Sequence, residues 1–178
     1  MKNLKKFVAL LLAGVMAMVM LTACSGGTTA DTEKEEAIRK QLGKRTEATS
    51  LCDRDGKVEN DSQLYKETAK LLDARIKAET SAFGILAVDF DVKGIDPVEQ
   101  YVTVTLSADY KTAGLVAGLI TKITEELGKI ESTNNSVKLD TEWAKAAVVV
   151  RTNEKGSYAA IAIQVKNIAY KNIAYKGK

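Results

Sequence analysis

Apolar and polar residues alternate along segments in the second half of the chain, which is the pattern of half-buried β-strands. One pair of such segments covers 83–92 and 101–107. A second pair lies within 144–167, with a tight-turn sequence at 153–156 between its strands. Because each pair is joined by a short connection, the pattern predicts two antiparallel hairpins.

Two longer segments repeat their apolar residues every three or four positions, as amphipathic helices do. They cover 62–80 and 108–129. Asp61 or Ser62 can cap the first helix, and Asp109 can cap the second, because each offers a side-chain oxygen to the first free N–H groups.

Glycines mark two predicted helix ends. Gly128 is expected to end the second long helix, and Gly43 to end a third, shorter helix over 31–43. Thr32 followed by Glu35 has the capping-box pattern at the start of this short helix. Its few apolar residues leave open whether it docks on the domain or forms part of a stalk.

The order of elements is helix, hairpin, long helix and hairpin, which predicts an α+β domain. We expect an antiparallel sheet of about four strands from two hairpins, packed with two main helices. The domain is predicted over 62–170, after a tether, short helix and loop in 24–61. The direct repeat KNIAY in 166–175 is expected to extend the last strand with one copy, and 171–178 to be a basic tail.

The N-terminal segment has the organisation of a secretory signal peptide. A basic start is followed by an uncharged apolar run of 15 residues at 7–21. This run is shorter than the roughly 20 apolar residues that span a bilayer. Small residues and a cysteine follow it in the sequence Leu21-Thr22-Ala23-Cys24.

This four-residue sequence resembles the lipobox of bacterial lipoproteins. The resemblance covers 1–24 alone, and it implies cleavage before Cys24 and lipid attachment to the Cys24 thiol. It further implies a location at the extracytoplasmic face of the bacterial cell membrane, with several acyl chains giving a stable anchor. Residues 25–30 would form a tether that reaches at most about 20 Å. The alternative is an uncleaved membrane anchor with an incidental cysteine.

Charge and cysteine content change once the signal peptide 1–23 is set aside. The lysines of the signal peptide account for the excess of basic residues, so residues 24–178 carry 23 basic and 23 acidic side chains. This balance gives no support to a nucleic-acid partner. Cys52 has no second cysteine to pair with if Cys24 is lipidated, and we expect it to be a small buried apolar residue rather than a reactive thiol.

Several catalytic and binding chemistries lack their residues in this chain. Histidine is absent, which excludes Ser-His-Asp and Cys-His catalysis and imidazole zinc sites. Neither a Ser-x-x-Lys motif nor a phosphate-binding glycine loop is present. The acidic segment 52–61 fails the EF-hand register, which would place Leu51 at the first ligand position. We therefore expect no metal and no cofactor.

The remaining candidates for chemistry are carboxylates and aromatic residues. Asp89 and Asp91 share one face of a predicted strand, and Asp96 lies in the next turn. Such a set can perform acid–base catalysis, as in inverting glycosidases, or can simply form the polar face of an edge strand. Trp143 and several tyrosines can line a ligand groove or pack in the core; these are Tyr101, Tyr110 and Tyr158.

The sequence thus favours a membrane-anchored bacterial surface lipoprotein with a non-enzymatic binding or interaction module. Its partners would be the membrane, through the lipid anchor, and a protein or envelope component. Two alternatives stay open. One is a small hydrolase that uses Asp89, Asp91 or Asp96. The other is a solute-binding accessory component, for which the chain is short.

Overall fold

The alternating segments form a single antiparallel sheet. The computed structural model describes residues 28–79, 85–96, 98–113 and 116–170. Within these residues the strands are β1 (Thr29–Ala30), β2 (Asp89–Lys93), β3 (Tyr101–Asp109), β4 (Leu139–Asn153) and β5 (Gly156–Asn167). Their order across the sheet is β1-β4-β5-β3-β2, and every neighbouring pair is antiparallel. Strands β2 and β1 are therefore the two ends of the sheet.

Helices cover both faces of this sheet. The described helices are α1 (Thr32–Leu42), α2 (Ser62–Glu79), α3 (Tyr110–Ala113), α4 (Val116–Thr133) and a 3₁₀-helix (Thr46–Leu51). Helices α1 and α4 pack on one face, and α2 packs on the other. None of the described helices is long and apolar enough to cross a membrane.

The main core lies between the sheet and helices α1 and α4. Alternate residues of the three central strands point into it, as the period of two predicts. On β5 these are Ala159, Ile161, Ile163 and Val165, which are at most 1% exposed. Burying one isoleucine or valine side chain stabilises a protein by about 1.5–3 kcal/mol. Among the described residues, this layer contains most of the buried apolar side chains.

On the opposite face of β4 and β5, small side chains allow helix α2 to pack close to the sheet. Its small residues Ala147, Ala160 and Ala162 are fully buried beneath α2. Leu64 and Leu72 of α2 pack onto them. The alanines remove side-chain bulk from the sheet and let the helix approach, as their position on the second face of the predicted strand indicated.

The α+β class is confirmed, but the sheet has five strands instead of about four. The additional strand is β1, which pairs Thr29 with Thr152 and Ala30 with Arg151. It lies in the segment 25–30, which we interpreted as a free tether. A strand of two residues has no measurable period, so the sequence pattern could not reveal it.

The packed unit begins before residue 62, the boundary that the sequence suggested. Ile38 and Leu42 of α1 are buried in the main core, together with Ala48 and Val58. The apolar residues of this helix are Ala37, Ile38 and Leu42. Ile38 and Leu42 make the contact with the core. Helix α1 is therefore docked on the domain and is not a stalk.

The helix caps follow the predicted chemistry with different residues. Asp31 caps α1, where its Oδ1 accepts the N–H of Lys34 at 3.2 Å, so the Thr32 capping-box prediction was wrong. Asp61 caps α2, because its Oδ1 accepts the N–H of Leu64 at 2.9 Å. These two aspartates satisfy N–H groups that have no partner inside the helix.

The second long helix differs from its prediction at both ends. Asp109 is the last residue of β3, and its Oδ1 accepts the N–H of Leu86 at 3.2 Å. Gly128 does not end the helix, since α4 continues to Thr133 and buries Ile130 in the core. An apolar contact beyond the glycine thus outweighs the weak helix propensity of glycine.

Both predicted hairpins form, but β4 begins at Leu139, before the predicted start of the second hairpin at residue 144. The turn 153–156 joins β4 to β5, and Asn153 Oδ1 accepts the N–H groups of Lys155 and Gly156. Strand β2 begins at Asp89, later than the predicted residue 83. Gly94 follows it with φ of 79°, and a Cβ there would lie 2.1 Å from the carbonyl oxygen of Tyr101, so only glycine fits this turn.

The first KNIAY copy ends strand β5. Its Asn167 is fully buried, and the Asn167 Oδ1 accepts the N–H groups of Lys138 and Ala169 at 3.1 Å. This copy extends the strand by two residues, Lys166 and Asn167. The second copy, the basic tail 171–178 and the predicted lipidation site Cys24 lie outside the described residues.

Candidate functional site

The three candidate carboxylates lie on and after the edge strand β2. Asp89 and Asp91 share the face of the sheet that α2 covers, and they lie opposite Ser107 and Thr105 of β3. Asp96 lies in the connection that leads to β3. The prediction that Asp89 and Asp91 point to one side of a strand is therefore confirmed.

Asp89 forms an ion pair with Arg75 of helix α2. Its Oδ2 is 3.4 Å from Arg75 Nη1. The same guanidinium binds both carboxylate oxygens of Glu79 at 2.9 Å and donates a hydrogen bond to Ser107 Oγ. Arg75 thus connects the end of α2 to both β2 and β3, and Asp89 serves as one of its partners.

Asp91 and Asp96 are held by local contacts. Asp91 Oδ2 is 3.4 Å from the Nζ of Lys93, its neighbour on the same face of β2. Asp96 Oδ1 accepts the N–H of Val98 at 3.0 Å, which is the hydrogen bond of an Asx turn. These are the contacts expected if the aspartates simply form the polar face of an edge strand and its turn.

The exposure of these carboxylates does not suit hydrolysis of a glycosidic bond. The side chains of Asp89 and Asp91 are 60% and 39% exposed. A catalytic carboxylate pair works in a cleft that takes up the sugar ring, with one acid kept protonated by an apolar environment. The described surroundings of Asp89 and Asp91 are charged and open, and the described residues place no second acid beside either of them in an enclosed site.

The aromatic candidates divide between core and surface. Trp143 of β4 and Tyr158 of β5 are 4% and 0% exposed, so they pack in the two apolar layers. Tyr101 and Tyr110 are half-buried. The Nζ of Lys34 lies over the ring of Tyr110, 5.3 Å from the ring centre. The four residues are distributed over both faces of the sheet and do not line one groove.

The most buried charged cluster in the described part of the chain joins residues that are far apart in the sequence, so no local pattern predicts it. Glu35 of α1 is 6% exposed. Its Oε1 accepts the backbone N–H of Val150 at 2.9 Å and the hydroxyl of Tyr65 at 3.0 Å, and lies 3.8 Å from Arg151 Nη1. Burial raises the pKa of this carboxyl, while the bonds from Val150 and Tyr65 oppose the rise. Arg151 in turn binds Asp73 at 3.1 Å.

Glu35 belongs to a set of contacts that close the outer edge of β4. Asn60 Oδ1 accepts the N–H of Val148 at 2.9 Å, and Asn60 Nδ2 donates to the carbonyl of Val148 at 3.3 Å. The backbone N–H groups of Asp61 and Asp31 donate to the carbonyls of Ala146 and Val150. The carbonyl of Ala146 and both backbone groups of Val148 and Val150 are thus satisfied without a full neighbouring strand.

Two surface grooves lie away from these clusters. One, of about 420 Å³, lies at the end of the sheet near β1 and the β4–β5 turn; it is lined by Ile85, Asp109, Tyr110, Lys111, Lys155, Gly156 and Ser157. The other, of about 570 Å³, lies between α1 and the turn after the 3₁₀-helix, and charged residues line most of it. Both grooves are open to solvent and are lined mainly by charged and polar residues, unlike the enclosed apolar cavities that hold most small ligands.

The acidic loop after Cys52 forms a tight turn. Asp53 Oδ1 accepts the N–H groups of Asp55 and Lys57 at 2.9 Å, and Cys52 pairs with Val58 across the turn. Among the described residues, no three histidine, cysteine or acidic side chains come together as metal ligands would. The half-buried Cys52 thiol donates to the carbonyl of Ala48 at 3.3 Å.

Comparison of the chain with protein-family models, curated proteins and solved structures gave no match.

Proposed function

We propose that this chain is a bacterial surface lipoprotein, held at the extracytoplasmic face of the cell membrane by lipid on Cys24. Its domain is a non-enzymatic module that binds a protein or an envelope component. The lipobox-like sequence Leu21-Thr22-Ala23-Cys24 behind a short apolar run carries this proposal. It is the chain's most specific sequence feature.

The position of the domain along the chain supports the proposal. Strand β1 begins at Thr29, five residues after Cys24, and is paired with the end of β4. Five extended residues span at most about 18 Å. A lipid on Cys24 would therefore keep the end of the sheet that holds β1 and the β4–β5 turn close to the membrane.

The contacts of the carboxylates support binding over catalysis. Arg75 links Asp89 to helix α2, and Lys93 neutralises Asp91, so both aspartates have structural partners. An aspartate that is exposed and ion-paired is suited to stabilising a surface or to contacting a partner. The carboxylates named for the hydrolase alternative, Asp89, Asp91 and Asp96, lie at an open surface in the described part of the chain.

Lipid attachment is tested by labelling growing cells with an alkyne-bearing fatty acid and detecting the label on the purified full chain. We expect label on the wild type and on Cys52→Ser, and none on Cys24→Ser. Cys52→Ser is the matched control because it removes the only other cysteine. Label that persists on Cys24→Ser would contradict the proposed anchor.

The binding role is tested separately by mild crosslinking in the native membrane and purification of the lipidated chain. We expect a stoichiometric partner that is lost with Cys24→Ser, because that variant is released from the membrane. A chain that is lipidated but recovers no partner would contradict the binding module and leave the anchor intact. Asp89→Asn, which keeps size and shape, would then be the first variant to assay for activity.

A further inference from the structure

The two edges of the sheet are treated differently by the rest of the chain. Along β4, the carbonyl of Ala146 and the outward amides and carbonyls of Val148 and Val150 are bonded by Asp61, Asn60, Glu35 and Asp31. Edge strands that are left open pair readily with other strands, and proteins usually cover or interrupt them. Whether β2 is covered in the same way depends on which of its groups point outward.

The register of the sheet settles the direction of these groups. Asn167 N–H donates to the carbonyl of Gln100, directly opposite, at 2.8 Å. In an antiparallel pair, opposite residues alternate between hydrogen-bonded and non-bonded pairs. Even-numbered residues of β3 therefore bond to β5, and its odd-numbered residues bond to β2.

By the same alternation, the backbone amides and carbonyls of Phe90 and Val92 point away from β3, toward the outer side of β2. Asp89, Asp91 and Lys93 lie opposite Ser107, Thr105 and Thr103 and use their amides and carbonyls in the ladder. On β4 the same rule assigns even-numbered residues to the outer edge, which agrees with the observed contacts of Val148 and Val150. No backbone group in the described part of the chain bonds to the outward amides and carbonyls of Phe90 or Val92.

Apolar residues flank this open edge. Val88 precedes β2 and is 38% exposed, while Ile95 and Val98 follow it and are 43% and 57% exposed. They account for three of the five large apolar side chains that are exposed among the described residues. Open backbone groups between exposed apolar residues are the features of a surface that adds a strand.

We propose that β2 pairs antiparallel with β2 of a second copy of this chain, centred on Val92, to form one continuous ten-stranded sheet. Charge complementarity identifies a second copy of this chain as the partner of the β2 edge. With Val92 opposite itself, Asp91 of each copy lies opposite Lys93 of the other. This forms two ion pairs across a non-bonded pair, where Cα atoms approach to about 4.5 Å.

Charge favours the Val92 register over its neighbours. Centring on Asp91 pairs Asp89 with Lys93 but places the two Asp91 carboxylates opposite each other, and centring on Phe90 places Asp89 opposite Asp91. Like charges directly opposite each other on a sheet are destabilising.

The two-fold axis of this pairing is perpendicular to the sheet. If both copies carry a lipid in the same membrane, the axis must be normal to the membrane, and the ten-stranded sheet runs parallel to the membrane plane with a helical layer between them. The strand contact is short, so the dimer is expected to be weak and reversible in solution. Confinement to a membrane raises the effective concentration of the two copies and favours the dimer there.

The test uses the full chain in detergent, by sedimentation velocity, and in its native membrane, by crosslinking. Asp91→Lys and Lys93→Asp each place like charges opposite each other, so each variant is expected to lose the dimer. The double swap Asp91→Lys with Lys93→Asp restores opposite charges and is expected to restore the dimer. Asp55→Lys, a charge reversal at an exposed site on another surface, is the matched control and keeps it.

A second variant tests the backbone contacts. Val92→Pro removes an outward N–H that β2 does not use in its own ladder, so it should abolish the dimer while the circular dichroism spectrum is retained. A wild-type chain that stays monomeric in detergent and membrane would overturn the proposal. So would a dimer that survives both Val92→Pro and the single charge reversals, or a double swap that does not restore it.

Discussion

The carboxylate of Glu35 accepts the backbone N–H of Val150 at 2.9 Å, so a buried acid on helix α1 occupies a position that a neighbouring strand would normally fill. The same oxygen accepts the hydroxyl of Tyr65 from helix α2 at 3.0 Å. Glu35 therefore joins the helices on the two faces of the sheet at its edge. Its loss leaves more than one buried polar group without a partner.

Replacing Glu35 with alanine should lower the free energy of unfolding by on the order of 3 kcal/mol. An unsatisfied buried donor costs about 1–3 kcal/mol, and Val150 N–H and Tyr65 OH both lose their acceptor. Glu35→Gln keeps an acceptor and should cost less. Urea unfolding measures both, with exposed Glu33→Ala on the same helix as the control. Equal costs for Glu35→Ala and Glu33→Ala would contradict this role.

The stability that Glu35 contributes should decrease as the pH rises, as expected for an acid whose pKa is raised by burial. Burial raises the pKa of Glu35 above its ordinary value of 4.5, so the folded protein holds this proton more tightly than the unfolded chain. The contribution of this titration is fully present below about pH 4.5 and is lost as the pH rises through the folded pKa. The stability of wild type relative to Glu35→Gln should therefore fall over that window. A difference that rises with pH would contradict it.

Asn60 should protect one specific amide on the edge of β4. Its side-chain amide bonds to both backbone groups of Val148, as a strand residue would. Asn60→Ala should remove hydrogen-exchange protection from the Val148 amide, because that bond has no substitute. Asn60→Asp keeps the acceptor and should retain part of the protection. The Val149 amide, which points to β5, serves as the internal control and should stay protected in both variants.

These edge contacts show where prediction from the sequence was sufficient and where it was not. The hairpins and long helices could be predicted because each buries one face, which imposes a period on the apolar residues. The shared face of Asp89 and Asp91 followed from the same period. Strand β1 has only two residues, and its existence depends on the open end of β4.

Roles of single polar residues required the tertiary structure. Glu35 has the spacing of a capping-box residue, yet Asp31 caps the helix and Glu35 turns to the sheet. A contact across 115 residues leaves no local pattern. The predicted anchor at Cys24 comes from a linear signal, so it could be proposed from the sequence although the structure does not describe that residue.

Asp61 should stabilise the protein in the opposite pH direction from Glu35. Hydrogen bonds from Leu64 N–H and the nearby Lys145 hold the pKa of this carboxyl below its ordinary 3.8, against the effect of burial. Its contribution is present above that value and is lost as the pH falls through the folded pKa. Asp61→Ala should cost about 1 kcal/mol near neutral pH.

Comparison with Asp61→Asn isolates the charge of that cap. Asparagine still accepts the Leu64 N–H but does not titrate, so the stability of wild type relative to Asp61→Asn should decrease as the pH falls below about 4. Thermal unfolding at a series of pH values measures the difference. A difference that is constant with pH would show that the charge of Asp61 does not stabilise the folded state.

Two glycines should respond in opposite ways to alanine. Gly94 has φ of 79°, and a Cβ there would lie 2.1 Å from the carbonyl oxygen of Tyr101, which is backbone and cannot move aside without shifting β3. Gly94→Ala should therefore destabilise the protein by more than about 1 kcal/mol. Gly128 lies inside α4 with open space around its Cβ position. Gly128→Ala should stabilise by about 0.5–1 kcal/mol, because alanine favours the helix.

Urea unfolding of both variants tests the prediction, and the pair serves as its own control because the chemical change is identical. If strand β2 and the turn at Gly94 form as described, the two shifts in free energy have opposite signs. Equal shifts would contradict the conformation assigned to Gly94, and a loss of stability in Gly128→Ala would contradict the continuation of α4 through that residue.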